Sequence, residues 1–274
     1  MKRQVTTEKG ASIKAPRSPR GIENELADMI EFMVAQMAKR FQNQVLGQLQ
    51  ARTVDKFADA QTGNFASILL RLAKGAKKSL LKQFSNGRLE SISQSVLAKL
   101  DKKTKREFYE RVAGKTGIDV TSLIAKEGMK STTNALVAET AQWIQTLRDD
   151  TFQKFTNNTL FAMSQGESLD TIVGTFDTIV KERKNHAKFL ARNQVQNYNS
   201  ITTKIRAQNL GITEAVWETA GDERVRPSHR DRDGKTFKLA EGLYSSLDSI
   251  HLLPGVDYNC RCSYTLIIPE TAEG

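Results

Sequence analysis

Proline is missing from residues 20–226 of this 274-residue chain; Pro16 and Pro19 precede that stretch, and Pro227, Pro254 and Pro269 follow it. Proline breaks helix interiors, so its absence over so long a stretch leaves room for a mostly helical region. Cysteine is almost missing as well. Two residues, Cys260 and Cys262, exclude a disulfide framework. Apolar residues are 39% and aromatics 7% of the chain, both low for a globular protein. No apolar run approaches the roughly 20 residues of a bilayer span. The basic N-terminus has no apolar core behind it, so neither a transmembrane helix nor a secretory signal is expected. No Gly-x-Ser-x-Gly or His-Glu-x-x-His element is present. Ala113-Gly114-Lys115-Thr116-Gly117 has the look of a phosphate loop, but the glycine required five residues earlier is replaced by Tyr109. That stretch reads as a helix-ending turn.

What the chain does have is positive charge, unevenly spread. Its 41 basic and 31 acidic residues give a net +10. From Gly211 onward there are 7 basic and 11 acidic residues, net −4, which leaves 34 against 20, net +14, in residues 1–210. The surplus permits a phosphate-rich neighbour without proving one. Lys74, Lys77, Lys78 and Lys82 form one basic cluster, and Lys99, Lys102, Lys103, Lys105 and Arg106 a second. Each reads either as a solvated helix face or as a surface for DNA backbone, whose binding would be salt-sensitive. Aromatic interleaving is too poor to suggest base stacking.

Residues 1–20 carry six basic residues against Glu8, with Val5 and Ile13 as the bulky apolar side chains after Met1. Such a segment is expected to be a flexible tail, free in solvent or touching nucleic acid or a partner. Beyond it, Leu26, Met29, Ile30, Met33, Val34, Met37, Phe41, Val45 and Leu49 recur at helical spacing. Gly63-Asn64 is expected to break this helix. A second helix should end at Ser85-Asn86-Gly87, and a third should hold Leu89, Ile92, Val96, Leu97 and Leu100. Further helices are expected around 104–113, 119–147, 150–165, 168–182 and 185–209. Asp119 and Ser168 are the expected N-caps, and Gly117 and Gly166 the stops. The fold class is therefore mainly α, with a multi-helix body that could be extended, followed by a small C-terminal α+β module. The chain divides into a tail (1–20), an N-terminal helical region (21–117), a second helical region (118–210) and a turn-rich module (211–274).

The module concentrates the rare residues. Val216–Thr219, Lys235–Leu239 and Cys262–Ile268 read as strands, and Asp233-Gly234 as a hairpin turn. His229, Cys260 and Cys262 are the residue types zinc prefers, and a structural site needs four ligands. Asp222 and His251 are the candidates for the fourth. Two reduced packing cysteines with a hydrogen-bonded histidine is the plainer reading, and a Cys260–Cys262 bond would be strained. Zinc is the one cofactor the residues suggest. His229 with Asp231 and Asp233 also admits a metal-dependent nuclease, since histidine serves as a general base near neutral pH. Local pairing of these carboxylates with Arg224, Arg226, Arg230 and Arg232 is simpler, and no enzyme is expected.

Trp217 on a strand, then Asp222, Arg226, His229, Asp233-Gly234, Pro254 and Asn259-Cys260-Arg261-Cys262 in order, resemble the phage Mu protein F-like head morphogenesis family over roughly residues 118–265. Ala191-Arg192-Asn193 and Asn209-Leu210-Gly211-Ile212 fit the same pattern. Two positions depart from it: Asn193-Gln194 stands where an acidic residue is common, and Arg232 where a hydrophobic one is usual. The resemblance implies a minor capsid protein of a tailed phage, made in the bacterial host cytoplasm and packaged in few copies inside the head. Its implied partners are the portal, capsid or scaffold proteins and the double-stranded genome, whose retention or ejection it would assist. Neither a membrane nor a small-molecule substrate is implied. A toxin-like or nuclease effector delivered with the genome is the alternative, and a pure assembly role without DNA contact is a third.

Overall fold

A computed structural model describes residues 11–53, 62–121, 124 and 127–269. The chain forms two compact units, and each is assembled from segments far apart in sequence. A helical unit comprises Asn24–Gln94 and Ala138–Ala191; a mixed unit comprises Met1–Glu23, Ser95–Val137 and Arg192–Gly274. This interleaving differs from the chain-order division expected from the sequence. The boundaries fall inside helices, so nothing in the local sequence marks them.

Helix α1 (Arg20–Phe41) continues through a π-helical stretch, Gln42–Leu46, into α2 (Gly47–Thr53). Next come α3 (Thr62–Gln83), α4 (Asn86–Thr116), α5 (Lys130–Ser164) and α6 (Leu169–Asn209). The body is helical, as expected, but its helices are fewer and longer. The segments 89–100 and 104–113 are one helix, and so are 168–182 and 185–209. Asp149-Asp150 does not interrupt α5. No proline or helix-ending glycine occupies those joints, so the backbone ladder continues across their charged stretches. The helix expected over 119–147 is divided: Thr121 and Ile124 are helical, Gly128 is left-handed at φ 64°, and α5 starts at Lys130. Gly63-Asn64 lies inside the first turn of α3 rather than at a break. Gly117 and Gly166 do end helices, at φ 67° and 76°, and Ser168 Oγ accepts from the Thr171 N–H at the start of α6. Asp119 Oδ1 accepts from the Thr121 N–H at 2.9 Å where the chain turns helical, as expected of an N-cap.

In the helical unit, Leu26, Ile30, Met33, Val34, Met37 and Phe41 are buried along one stripe of α1. The Phe41 ring lies 5.6–5.7 Å from those of Phe152, Phe155 and Phe176. Arg148 of α5 donates to the Phe84 carbonyl at 2.7 Å and to Asn86 Oδ1 at 3.0 Å, satisfying the turn between α3 and α4.

The mixed unit holds an antiparallel sheet in the order β1-β6-β2-β3. These strands are β1 (Ser12–Lys14), β2 (Glu214–Glu218), β3 (Thr236–Lys238) and β6 (Ser263–Ile267). A separate hairpin pairs β4 (Leu243–Ser245) with β5 (Ile250–Leu252), and a short helix, α7, spans Pro227–Arg232. Period-two alternation places Ala215, Trp217, Tyr264 and Leu266 on one buried face. That face packs with Phe108, Tyr109 and Val112 of α4 and Ala207 of α6.

Two expectations need correction here. Residues 12–14 of the expected tail are a strand: Ile13 pairs with Leu266, and Ile13 and Ala15 are buried. Residues 1–10 lie outside the described residues. Composition misjudges this segment because its pairing partner is some 250 residues away in sequence. Asp233-Gly234 is not a hairpin turn. It follows α7 and leads into β3, with Gly234 N–H donating to Trp217 O and Asp233 Oδ1 accepting from Thr219 N–H.

The mixed unit also buries charge. Arg206 of α6 is fully enclosed, with Asp101 at 2.6 Å and Glu127 at 2.5 Å. Lys105 pairs with Glu127 at 2.6 Å, and Tyr198 donates to Asp101 at 3.2 Å. Two cations and two carboxylates thus balance. Burial works against the Arg206 charge, but Asp101 and Glu127 outweigh it and hold its pKa above the ordinary value.

Candidate metal centre

Three elements bring His229, Cys260 and Cys262 together. Arg226, extended at φ −61° and ψ 149°, delivers Pro227 to the first turn of α7, where proline's fixed φ suits helix initiation. His229 then lies on the buried side of α7. The cysteines come from the loop entering β6. That loop bends at Gly255 (φ 89°) and at Asn259 (φ 53°), both left-handed. Added bulk at Gly255 would also meet Gln196 at 3.2 Å. Ser200 Oγ donates to Pro254 O at 2.5 Å, and Asn193 Oδ1 accepts from Asn259 N–H at 2.8 Å. Asn193, one of the two departures from the family pattern, therefore helps to hold the loop.

The ligand-type atoms of His229, Cys260 and Cys262 lie within 4.8 Å of one another, and all three residues are buried. His229 Nδ1 is 3.6 Å from Cys260 Sγ and 3.5 Å from Cys262 Sγ. The Cys260 sulfur accepts N–H groups from Gly255 at 3.3 Å and Cys262 at 3.4 Å. On the far side of the ring, His229 Nε2 is 3.0 Å from Asp257 Oδ2. Arg226 pairs with the same carboxylate and donates to Tyr258 O at 2.6 Å. Trp217, fully buried, stands edge-on to His229 at 5.7 Å between ring centres.

The electrostatics favour one negative sulfur. Donation from the Cys262 thiol, then from His229 and the two backbone N–H groups, outweighs burial and brings the Cys260 thiol down to about 5. Its donor role to Cys260, with burial, pushes Cys262 up. Hydrogen bonding to Cys260, reinforced by Asp257, raises His229.

The other expected site residues fall in different places. Asp222 does not join the cluster: both its oxygens accept from Arg261, at 2.5 and 2.6 Å. His251 is exposed on β5 beside the Tyr244 ring. Arg232 takes a fully buried position. It grips both oxygens of Asp248 at 2.8 Å, donates to the Leu243 and Ile250 carbonyls of the β4–β5 hairpin, and lies 5.5 Å from the centre of the Trp217 ring. Its guanidinium holds the Asp248 carboxyl well below the usual carboxylate range. Nothing in the sequence marks Asp257. Three residues before Cys260, it is one carboxylate among many, and only the folded loop singles it out. Among the basic candidates, Lys74, Lys78, Lys82, Lys102 and Lys103 are exposed. Lys77 sits 3.8 Å from Asp149, Arg106 pairs with Glu110, and Lys105 is committed to Glu127.

A pocket of about 60 Å³ is lined by all three cluster residues together with Ala220, Arg226 and Asn259. Soft thiolate and imidazole donors around such a space form a zinc-type ligand set.

Among the described residues, no helix is long and apolar enough to cross a membrane. Residues 153–265 match the family described as phage Mu protein F like protein, which bears out the resemblance read from Trp217 to Cys262. The match contains the whole cluster. An uncharacterized protein of Haemophilus influenzae is 28% identical over 228 residues, which is 83% of this chain and 50% of that protein. An uncharacterized protein of Methanocaldococcus jannaschii is 28% identical over 114 residues, 41% of this chain and 17% of its own length. The chain thus spans half of the first relative and a smaller part of the second. No solved structure matches it.

Proposed function

We propose, for a chain that is phage Mu protein F-like over residues 153–265, that it is a minor head protein packaged inside the capsid beside the portal. There it assists head assembly and the retention or ejection of the genome, and it touches DNA without sequence preference. The family match carries this reading, because it points to phage head morphogenesis. The charge distribution supports the DNA contact. Residues 1–210 hold a net +14, with exposed Lys74, Lys78 and Lys82 on α3 and Lys102 and Lys103 on α4. Cations on helix faces recognise phosphates by charge alone, which suits a genome of any sequence.

Two experiments test the reading. A phage lacking the gene should produce heads that are fewer, or that fill or eject DNA poorly, and the protein should be found in purified wild-type virions. Normal heads and normal infectivity without it would overturn the head role. Separately, binding to random duplex DNA should weaken linearly on a log–log salt plot. Replacing Lys74, Lys78 and Lys82 by alanine should flatten that slope by about one unit for each phosphate no longer neutralised. Binding that is weak and insensitive to salt would leave an assembly role alone.

A further inference from the structure

We propose that His229 Nδ1, Cys260 Sγ and Cys262 Sγ together bind one zinc ion, with a water in the adjoining pocket as fourth ligand. With Zn–S of about 2.3 Å, Zn–N of about 2.0–2.1 Å and tetrahedral angles, each sulfur should stand roughly 3.6 Å from the nitrogen. The two distances are 3.6 and 3.5 Å. Without an ion, an Nδ1–H donating to the Cys260 sulfur would account for one of these lengths but would set no distance for the second sulfur. Two sulfurs equally close to one nitrogen are what a shared central ion requires.

The surroundings of the three ligands point the same way. Nε2 faces the Asp257 carboxylate at 3.0 Å, a partner that would hold the ring proton on that side and free Nδ1 for a metal. A carboxylate behind a ligating histidine is the usual companion of zinc. The Gly255 and Cys262 N–H groups aimed at the Cys260 sulfur are suited to a thiolate. The buried Trp217 indole N–H lies on the Cys262 side and favours negative charge on that sulfur. Asp222, held by Arg261, and His251, exposed on β5, leave the fourth position open, and the pocket lined by all three residues adjoins it.

The ion would tie α7 to the loop entering β6 and so hold the module, while the water at its fourth position would leave the site open. Metal analysis of full-length protein, purified without chelator and supplied with zinc, should find one zinc per chain. Cobalt in its place should give the intense visible bands of a tetrahedral site and near-ultraviolet sulfur-to-cobalt charge transfer. Asp257→Asn, which removes no ligand, should weaken zinc about 10–100-fold. Cys260→Ser should remove the charge-transfer band in proportion to the lost sulfur. Because Cys260→Ser could fail to fold, the wild-type thiols give an independent reading: they should resist a thiol reagent until chelator is added. Substoichiometric zinc with both thiols reactive, or with a Cys260–Cys262 disulfide, would overturn the proposal.

Discussion

Phe41 in the helical unit and Arg206 in the mixed unit are both wholly removed from solvent, yet their surroundings have nothing in common. Phe41 is enclosed by three phenylalanine rings drawn from α5 and α6. Arg206 is enclosed by Asp101 and Glu127, with Lys105 and Tyr198 behind them. The same contrast runs through the two units. One is held by repeated apolar stripes, and its polar ties, such as Arg148, serve the ends of helices. The other adds buried ionic and sulfur groups to a small sheet. Apolar packing is non-directional and tolerates substitution by shape. A buried charge tolerates none, because removing one partner strands the other.

That difference can be broken by mutation. Arg206→Met should cost about 3–5 kcal/mol of stability in denaturant unfolding, since it leaves Asp101 without its cation and Glu127 with Lys105 alone. Adding Asp101→Asn and Glu127→Gln should recover much of that loss. If the single variant is mild, the buried network is not what holds the mixed unit. Phe41→Ala should cost about 3–5 kcal/mol as a cavity, whereas Phe41→Leu should be far milder. That graded response is one an ionic site does not show.

A smaller effect is expected at Arg232, whose partner Asp248 is partly solvated. Asp248→Asn should cost about 1–3 kcal/mol, as expected for a hydrogen bond to a charged group. It should also alter the acid response. The Asp248 pKa is depressed in the fold, so its contribution is complete above the ordinary carboxylate value of about 3.9. That contribution is lost as pH falls from there towards the lower folded value. The wild type should therefore lose stability more steeply than Asp248→Asn below about pH 4. An unchanged slope would show that Arg232 draws nothing from Asp248.

The smallest effect is at the surface. Lys74→Ala and Lys102→Ala should each change stability by less than about 0.5 kcal/mol, so any loss of DNA affinity in such variants is a matter of binding and not of folding.

The stripe from Leu26 to Phe41 is legible in the sequence because helix periodicity repeats every few residues and burial follows it. The strand from Val216 is legible for the same reason at period two. The joints inside α4 and α6 mislead because charged stretches resemble linkers when their helical neighbours are not considered. Strand β1 is invisible to periodicity because three residues carry no period; only pairing with Ser263–Ile267 makes them a strand. At the candidate metal centre, the residue types and order of His229, Cys260 and Cys262 stand out in the sequence. Asp257 does not, and Asp222, a candidate by type and position, is held by Arg261 instead.

The sequence by itself determined the helical class, the uneven charge, the phage Mu F-like pattern and the presence of three residues of metal-ligating type near the end of the chain. These follow from composition and short-range spacing, which any contiguous stretch displays. Only the tertiary structure decided that the first strand belongs to the last sheet, that Arg206 meets Asp101 and Glu127, and that Asp257 stands behind His229. Each of these joins residues that are distant in sequence or set by a loop's particular bend, and directional contacts of that kind have no period for a linear reading to detect.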